Sequence, residues 1–104
     1  MGNNYLQYSI RQEAEQYIGA MTELTGIDPR TKSRERPVVV ARELVAAALL
    51  QAGFTTVGVG AVLGVTHSNV VHYRHKVKQY LQFPRAYRDE LALWEAFNER
   101  MSTL

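Results

Sequence analysis

Apolar residues recur along the chain at helical spacing and divide it into five segments. Leu6, Ile10, Tyr17, Met21 and Leu24 fall near one face of residues 5–24, with Gln, Glu and Arg between them, which predicts a first amphipathic helix. Thr25-Gly26 ends it, because glycine takes a left-handed stop at least cost. Residues 27–37 form a polar connection with two prolines, read as a basic loop over about 28–37 with room for one helical turn. Pro37 suits the first turn of a second helix running to about Ala52. Its predicted buried stripe is Val40, Leu44, Ala47 or Ala48, and Leu50 or Gln51, and Gly53 stops it. Val38-Val39-Val40 has the composition of a short strand, but the alanine-rich sequence after it favours helix. Residues 55–63 predict a short helix weakened by Gly58 and Gly60. Residues 67–81 predict a stronger one with Val70, Val77 and Leu81 on one face. After Phe83-Pro84, residues 85–101 predict a last amphipathic helix bearing Tyr87, Leu91, Trp94, Phe97 and Met101.

The pattern therefore predicts an all-α fold of about five helices. Its 104 residues suit a single domain, residues 1–104, with one modest core. With no cysteine present, neither a disulfide framework nor a thiolate metal site is available. The opening MGNNYLQYS does not read as a secretory signal, and no stretch reads as a bilayer span. A cytoplasmic location is the default expectation, with no membrane partner.

Charge changes this picture more than composition does. The net charge is only +2, but residues 29–88 carry ten basic side chains against Glu35 and Glu43. Each flank holds one arginine against four carboxylates. A basic centre between acidic ends is a candidate polyanion footprint, and chance clustering on a solvated surface is the alternative.

The candidate chemistry lies within that centre, in GAVLGVTHSNVVHYRHKV. Gly60 supplies the small residue that a close helix crossing needs, and Gly64 suits a left-handed turn. Val65 can plug the turn into the core, Thr66 can cap the next helix near Ser68 or Asn69, and Val70 can anchor it from below. This spacing predicts a helix-turn-helix over about residues 55–81. Its second helix would then present His67, Ser68, Asn69 and His72 at its N-terminal end, side chains able to read base edges in a major groove. Arg74, Lys76 and Lys78 follow, within reach of phosphates. For His72, partial burial with a hydrogen bond is an equal alternative.

The stretch from Thr31 to Val77 resembles the C-terminal DNA-binding domain of the bacterial replication initiator DnaA. The shared features, over roughly residues 27–81, are the basic Lys32-Ser33-Arg34 loop, a helix opening with Ala41-Arg42, then Val59-Gly60, then Thr-His-Ser-Asn-Val-Val-His at residues 66–72. That last segment resembles the family's Asp-His-Ser/Thr-Thr-Val-x-His signature. The resemblance implies a helix-turn-helix core of the DnaA C-terminal or Trp-repressor-like type with an added C-terminal amphipathic helix. It also implies that the loop approaches the minor groove while the signature helix reads the major groove of double-stranded DNA. Lys32, Arg34 and Arg36 would be loop contacts, joined by Arg30 at the same edge. Arg42 would be a phosphate contact, and His67, Ser68 and Asn69 base contacts. Thr66 replaces the usual acidic residue and Asn69 one hydroxyl residue, so the family's site preference does not carry over. No GxxxxGK[ST] motif occurs, so the likeness is to stand-alone versions of the domain found on phages and mobile elements. Replication initiation or control and transcription regulation are the roles it implies.

Other readings of the same residues are weaker. His67, His72 and His75 would project from a helix at about 140° and 80° from the first, too far apart to share one ion. No metal or other cofactor is expected. Without a cysteine nucleophile or a glycine-rich phosphate cradle, and with the acidic residues outside the basic centre, the chain does not read as an enzyme and no small-molecule substrate is expected. The stronger rival is a helical interaction or structural module using the Tyr87/Trp94/Phe97 helix. That stripe would be either core or the seam of a homodimer through the C-terminal helix.

Overall fold

The computed structural model describes residues 2–104, and side chains from Ile10 onward. Five helices make it up: α1 (Gly2–Thr25), α2 (Arg36–Gln51), α3 (Thr56–Leu63), α4 (His67–Gln82) and α5 (Arg88–Ser102). No strand occurs among the described residues, and Val38–Val40 lies inside α2.

α2 is the axis of the fold. Every residue from Val40 to Leu49 is buried, so burial extends well beyond the predicted single stripe. The physical reason is that α1, α3, α4 and α5 all pack against it, and a helix covered on several sides buries most of its circumference, apolar apart from Arg42 and Glu43. Ala46, Ala47 and Ala48 keep its girth small enough for that. Leu50 is only half-buried and Gln51 is exposed, because the covering helices end there.

Local signals stop the helices where chain chemistry requires. Gly26, Gly53 and Gly64 are the glycines with positive φ. After α2, the N–H of Gly53 donates to Leu50 O and that of Phe54 to Leu49 O, a Schellman closure that pairs carbonyls otherwise left open. α3 forms despite its two glycines because Thr55 caps it, accepting from the Gly58 N–H at 3.0 Å.

α5 begins at Arg88, three residues later than its apolar spacing suggests. A turn follows Phe83, with Ala86 N–H donating to Phe83 O. Trp94 and Phe97 are 7% and 0% exposed, and Phe97 meets Tyr17 of α1 edge-on with ring centroids 6.3 Å apart. Arg100 also pairs with Glu23 of α1. The aromatic stripe of α5 is thus packed in the chain's own core. In α1, Ala14, Ile18, Ala20 and Met21 are buried while Ile10 and Leu24 are exposed. Leu6 lies outside the described side chains.

Candidate nucleic-acid interface

The turn between α3 and α4 is built as its residue types require. Gly64 has φ +72°, and the N–H of Val65 returns to Gly60 O at 2.9 Å. A Cβ on Gly60 would lie 2.6 Å from the Val65 carbonyl oxygen, closer than real contacts allow. The close approach that demands glycine is therefore made by the turn's own backbone. Val65 packs against the core, Val70 is fully buried, and Thr66 accepts from Asn69 N–H at 3.2 Å.

α4 buries Val70, Tyr73, Val77 and Tyr80, an i, i+3, i+7, i+10 stripe. Leu81, expected on the buried face, is 50% exposed, because the inward face follows the tyrosines and Tyr80 takes the buried position beside it. Phenol rings carry large apolar area with one polar end, and counting them as apolar would have given the right stripe. The Tyr80 hydroxyl finds its partner in buried Glu43 of α2, donating to Oε1 at 2.5 Å. Burial first, and then the adjoining Glu43 carboxylate, push the Tyr80 phenol above its ordinary range.

With that stripe inward, His67, Ser68, Asn69 and His72 are all exposed, so the partly buried alternative for His72 does not hold. Ser68 and His72 share one outer face by their i, i+4 spacing. Arg74 and Lys78 are likewise exposed and four apart. Lys76 differs: it is half-buried, with its ammonium 5.8 Å from the Tyr80 ring centroid.

The basic loop lies against this end of α4. Arg30, Lys32, Ser33 and Arg34 line an open cleft of about 540 Å³ whose other wall includes Gly64, Val65 and Asn69, with Arg42 and Tyr73 also lining it. Loop and helix, well separated in sequence, thus share one concave surface. Among the described residues, no carboxylate lies within ion-pair distance of Lys32 or Arg34. Arg30 is held by Asp28 at 2.8 Å and by Glu15 of α1 at 3.2 Å. The hydrogen-bonded Arg30 guanidinium holds the Asp28 carboxyl below the ordinary carboxylate range. Arg36 turns to a different neighbourhood, 5.6 Å from the Tyr80 ring centroid and 3.8 Å from Glu90.

Arg42 is the clearest departure from expectation. It is 9% exposed, and its Nε donates to Pro29 O at 3.1 Å while Nη2 donates to Thr31 O and, at 3.2 Å, to Ser33 O. Its Nε and Nη2 are committed to the loop backbone, which does not fit a guanidinium held out toward phosphate. A charged residue within a helix reads as surface by residue type, and the signal for burial was the apolar sequence on both sides of the Arg42-Glu43 pair.

Among the described residues, no group of three or more His, Cys, Asp or Glu side chains is arranged to hold a metal ion. No helix there is long and apolar enough to cross a membrane. Comparison of the chain with protein-family models, with curated proteins and with solved structures finds no match.

Proposed function

We propose that this chain binds double-stranded DNA through a helix-turn-helix made of α3 and α4, with α4 in the major groove and the basic loop against the backbone or in the adjacent minor groove. The observation that carries the reading is the cleft that Lys32 and Arg34 share with Asn69. It sets unpaired cations beside an amide in the first turn of a helix. Cations give affinity and register by meeting phosphates, while amides, hydroxyls and imidazoles distinguish base edges. His67, Ser68, Asn69 and His72 are the base-reading candidates. Lys32, Arg34, Arg74 and Lys78 are the phosphate candidates, with Arg30 available once released from its carboxylates. The resemblance to the DnaA C-terminal domain points the same way, toward control of replication or transcription.

The rival interaction-module reading relies on Tyr87, Trp94 and Phe97. Two of these three are buried and Tyr87 is half-buried against Tyr80, ring centroids 4.8 Å apart. That leaves a small apolar surface for a partner or a homodimer seam. Selection of bound duplexes from a random pool tests the proposal. Enrichment of a common site is the expected result, and retention of no duplex at low salt contradicts it.

A further inference from the structure

Arg42 engages carbonyls of alternate residues in the basic loop, 29, 31 and 33. The exposed cations Arg30, Lys32 and Arg34 occupy the positions between and just beyond them. Among the described residues, no carboxylate lies within ion-pair distance of Arg42. These carbonyl oxygens are the partners its buried charge has, and a buried cation is tolerated only when its donors are met. The loop must therefore close over Arg42. A guanidinium is suited to this role, since its rigid planar fork fixes several acceptors relative to one another, whereas an ammonium is one point on a flexible stem.

The clamp is anchored at both ends. Arg42 stands on α2 between buried Ala41 and Glu43, within the continuous buried run from Val40 to Leu49. Pro29 is fully buried, and Ser33 Oγ accepts from Glu35 N–H at 3.1 Å. Residues 29–35 have no regular secondary structure, and a loop of that kind left free would have to be ordered at the moment of binding. A loop already ordered avoids that loss.

We propose that Arg42 is a positioning residue for the DNA interface: through Nε and Nη2 it fixes the register of residues 29–33, so that Lys32 and Arg34 meet the duplex as one preset cationic edge beside α4. This rests on the DNA-binding reading of the cleft. The lysine substitution keeps the charge but not the fork, so charge alone does not preserve function.

The test is a double-mutant cycle. Arg42→Lys and Arg42→Met are each made in the natural chain and in a Lys32→Ala/Arg34→Ala background, and binding to a random-sequence duplex is measured by fluorescence anisotropy at low salt. Arg42→Lys weakens binding about tenfold in the natural chain and less than about twofold where the loop cations are already gone, because interacting sites are not additive. Equal losses in the two backgrounds overturn the proposal, since a general loss of fold would act on both alike.

Trypsin cleavage after Lys32 and Arg34, run without DNA, gives the second readout. Cleavage accelerates in both Arg42 variants as the loop opens locally, and unchanged cleavage overturns the clamp. If the natural chain binds no duplex, the DNA reading fails, while the cleavage rates still decide whether Arg42 holds the loop. Should both variants unfold, the natural chain suffices: the Arg42 Nε–H resonance is protected from solvent exchange if the clamp exists, and rapid exchange contradicts it.

Discussion

The hydroxyl of Tyr80, on the helix proposed to read DNA, donates a 2.5 Å hydrogen bond to the buried carboxylate of Glu43 on the central helix. The far end of α4 is thereby tied to the core. Tyr80→Phe leaves Glu43 buried without that partner, a loss of about 1–3 kcal/mol, read as a lower melting temperature.

The same pair carries a pH signature. The phenol is raised above its unfolded value, with burial the larger cause and Glu43 the second. Its contribution is therefore complete below the unfolded value of about 10 and is lost as pH rises past it toward the folded value. The melting-temperature gap between the natural chain and Tyr80→Phe closes as pH climbs above about 10. A gap that stays constant at alkaline pH contradicts this.

Gly60 and Gly58 both weaken α3 by propensity, but only one is demanded by the turn. At Gly60 a Cβ would be 2.6 Å from a backbone oxygen, whereas at Gly58 the nearest atom is the Thr55 hydroxyl at 3.1 Å. Gly60→Ala forces backbone movement and costs about 1–3 kcal/mol, in the range of other overpacking substitutions. Gly58→Ala costs less, because gained helix propensity offsets a contact that a small shift of the cap relieves, although that contact is with the capping Thr55 hydroxyl itself. Chemical denaturation of the two variants ranks them directly.

Much of this was legible in the chain. The five helices, the glycine stops and the Thr66 cap follow from short-range chemistry, which sequence records well. The Tyr73/Tyr80 stripe, the enclosure of α2 and the burial of Arg42 and Glu43 depend on which helix covers which, and so are set by tertiary packing. The exposure of His67, Ser68, Asn69, Lys32 and Arg34 was legible from residue type and spacing. The convergence of Lys32, Arg34 and Asn69 on one cleft was not, because the loop and α4 are separated in sequence by α2 and α3.

Arg30 is restrained by two carboxylates that a phosphate would have to displace. Glu15→Gln removes one of them, at a solvent-exposed pair whose own stabilisation is small, and also removes a negative charge near the cleft. Duplex affinity rises about two- to fivefold, and the gain shrinks as salt screens the interaction. Weaker or unchanged binding at low salt counts against a role for Arg30 at the interface.

Base reading and phosphate contact separate by substitution. Asn69→Ala relaxes preference at one position of a selected site by about 1–3 kcal/mol. Lys32→Ala or Arg34→Ala instead weakens all duplexes alike and flattens the salt dependence by about one unit of slope each. Competition between selected and scrambled duplexes distinguishes the two patterns.

Duplex affinity measured against salt concentration tests the central claim most directly. If Lys32, Arg34, Arg74 and Lys78 each neutralise one phosphate, the logarithm of the association constant falls linearly with the logarithm of salt with a slope of about −3.6. No binding at about 50 mM salt, or binding indifferent to salt up to about 200 mM, contradicts the account.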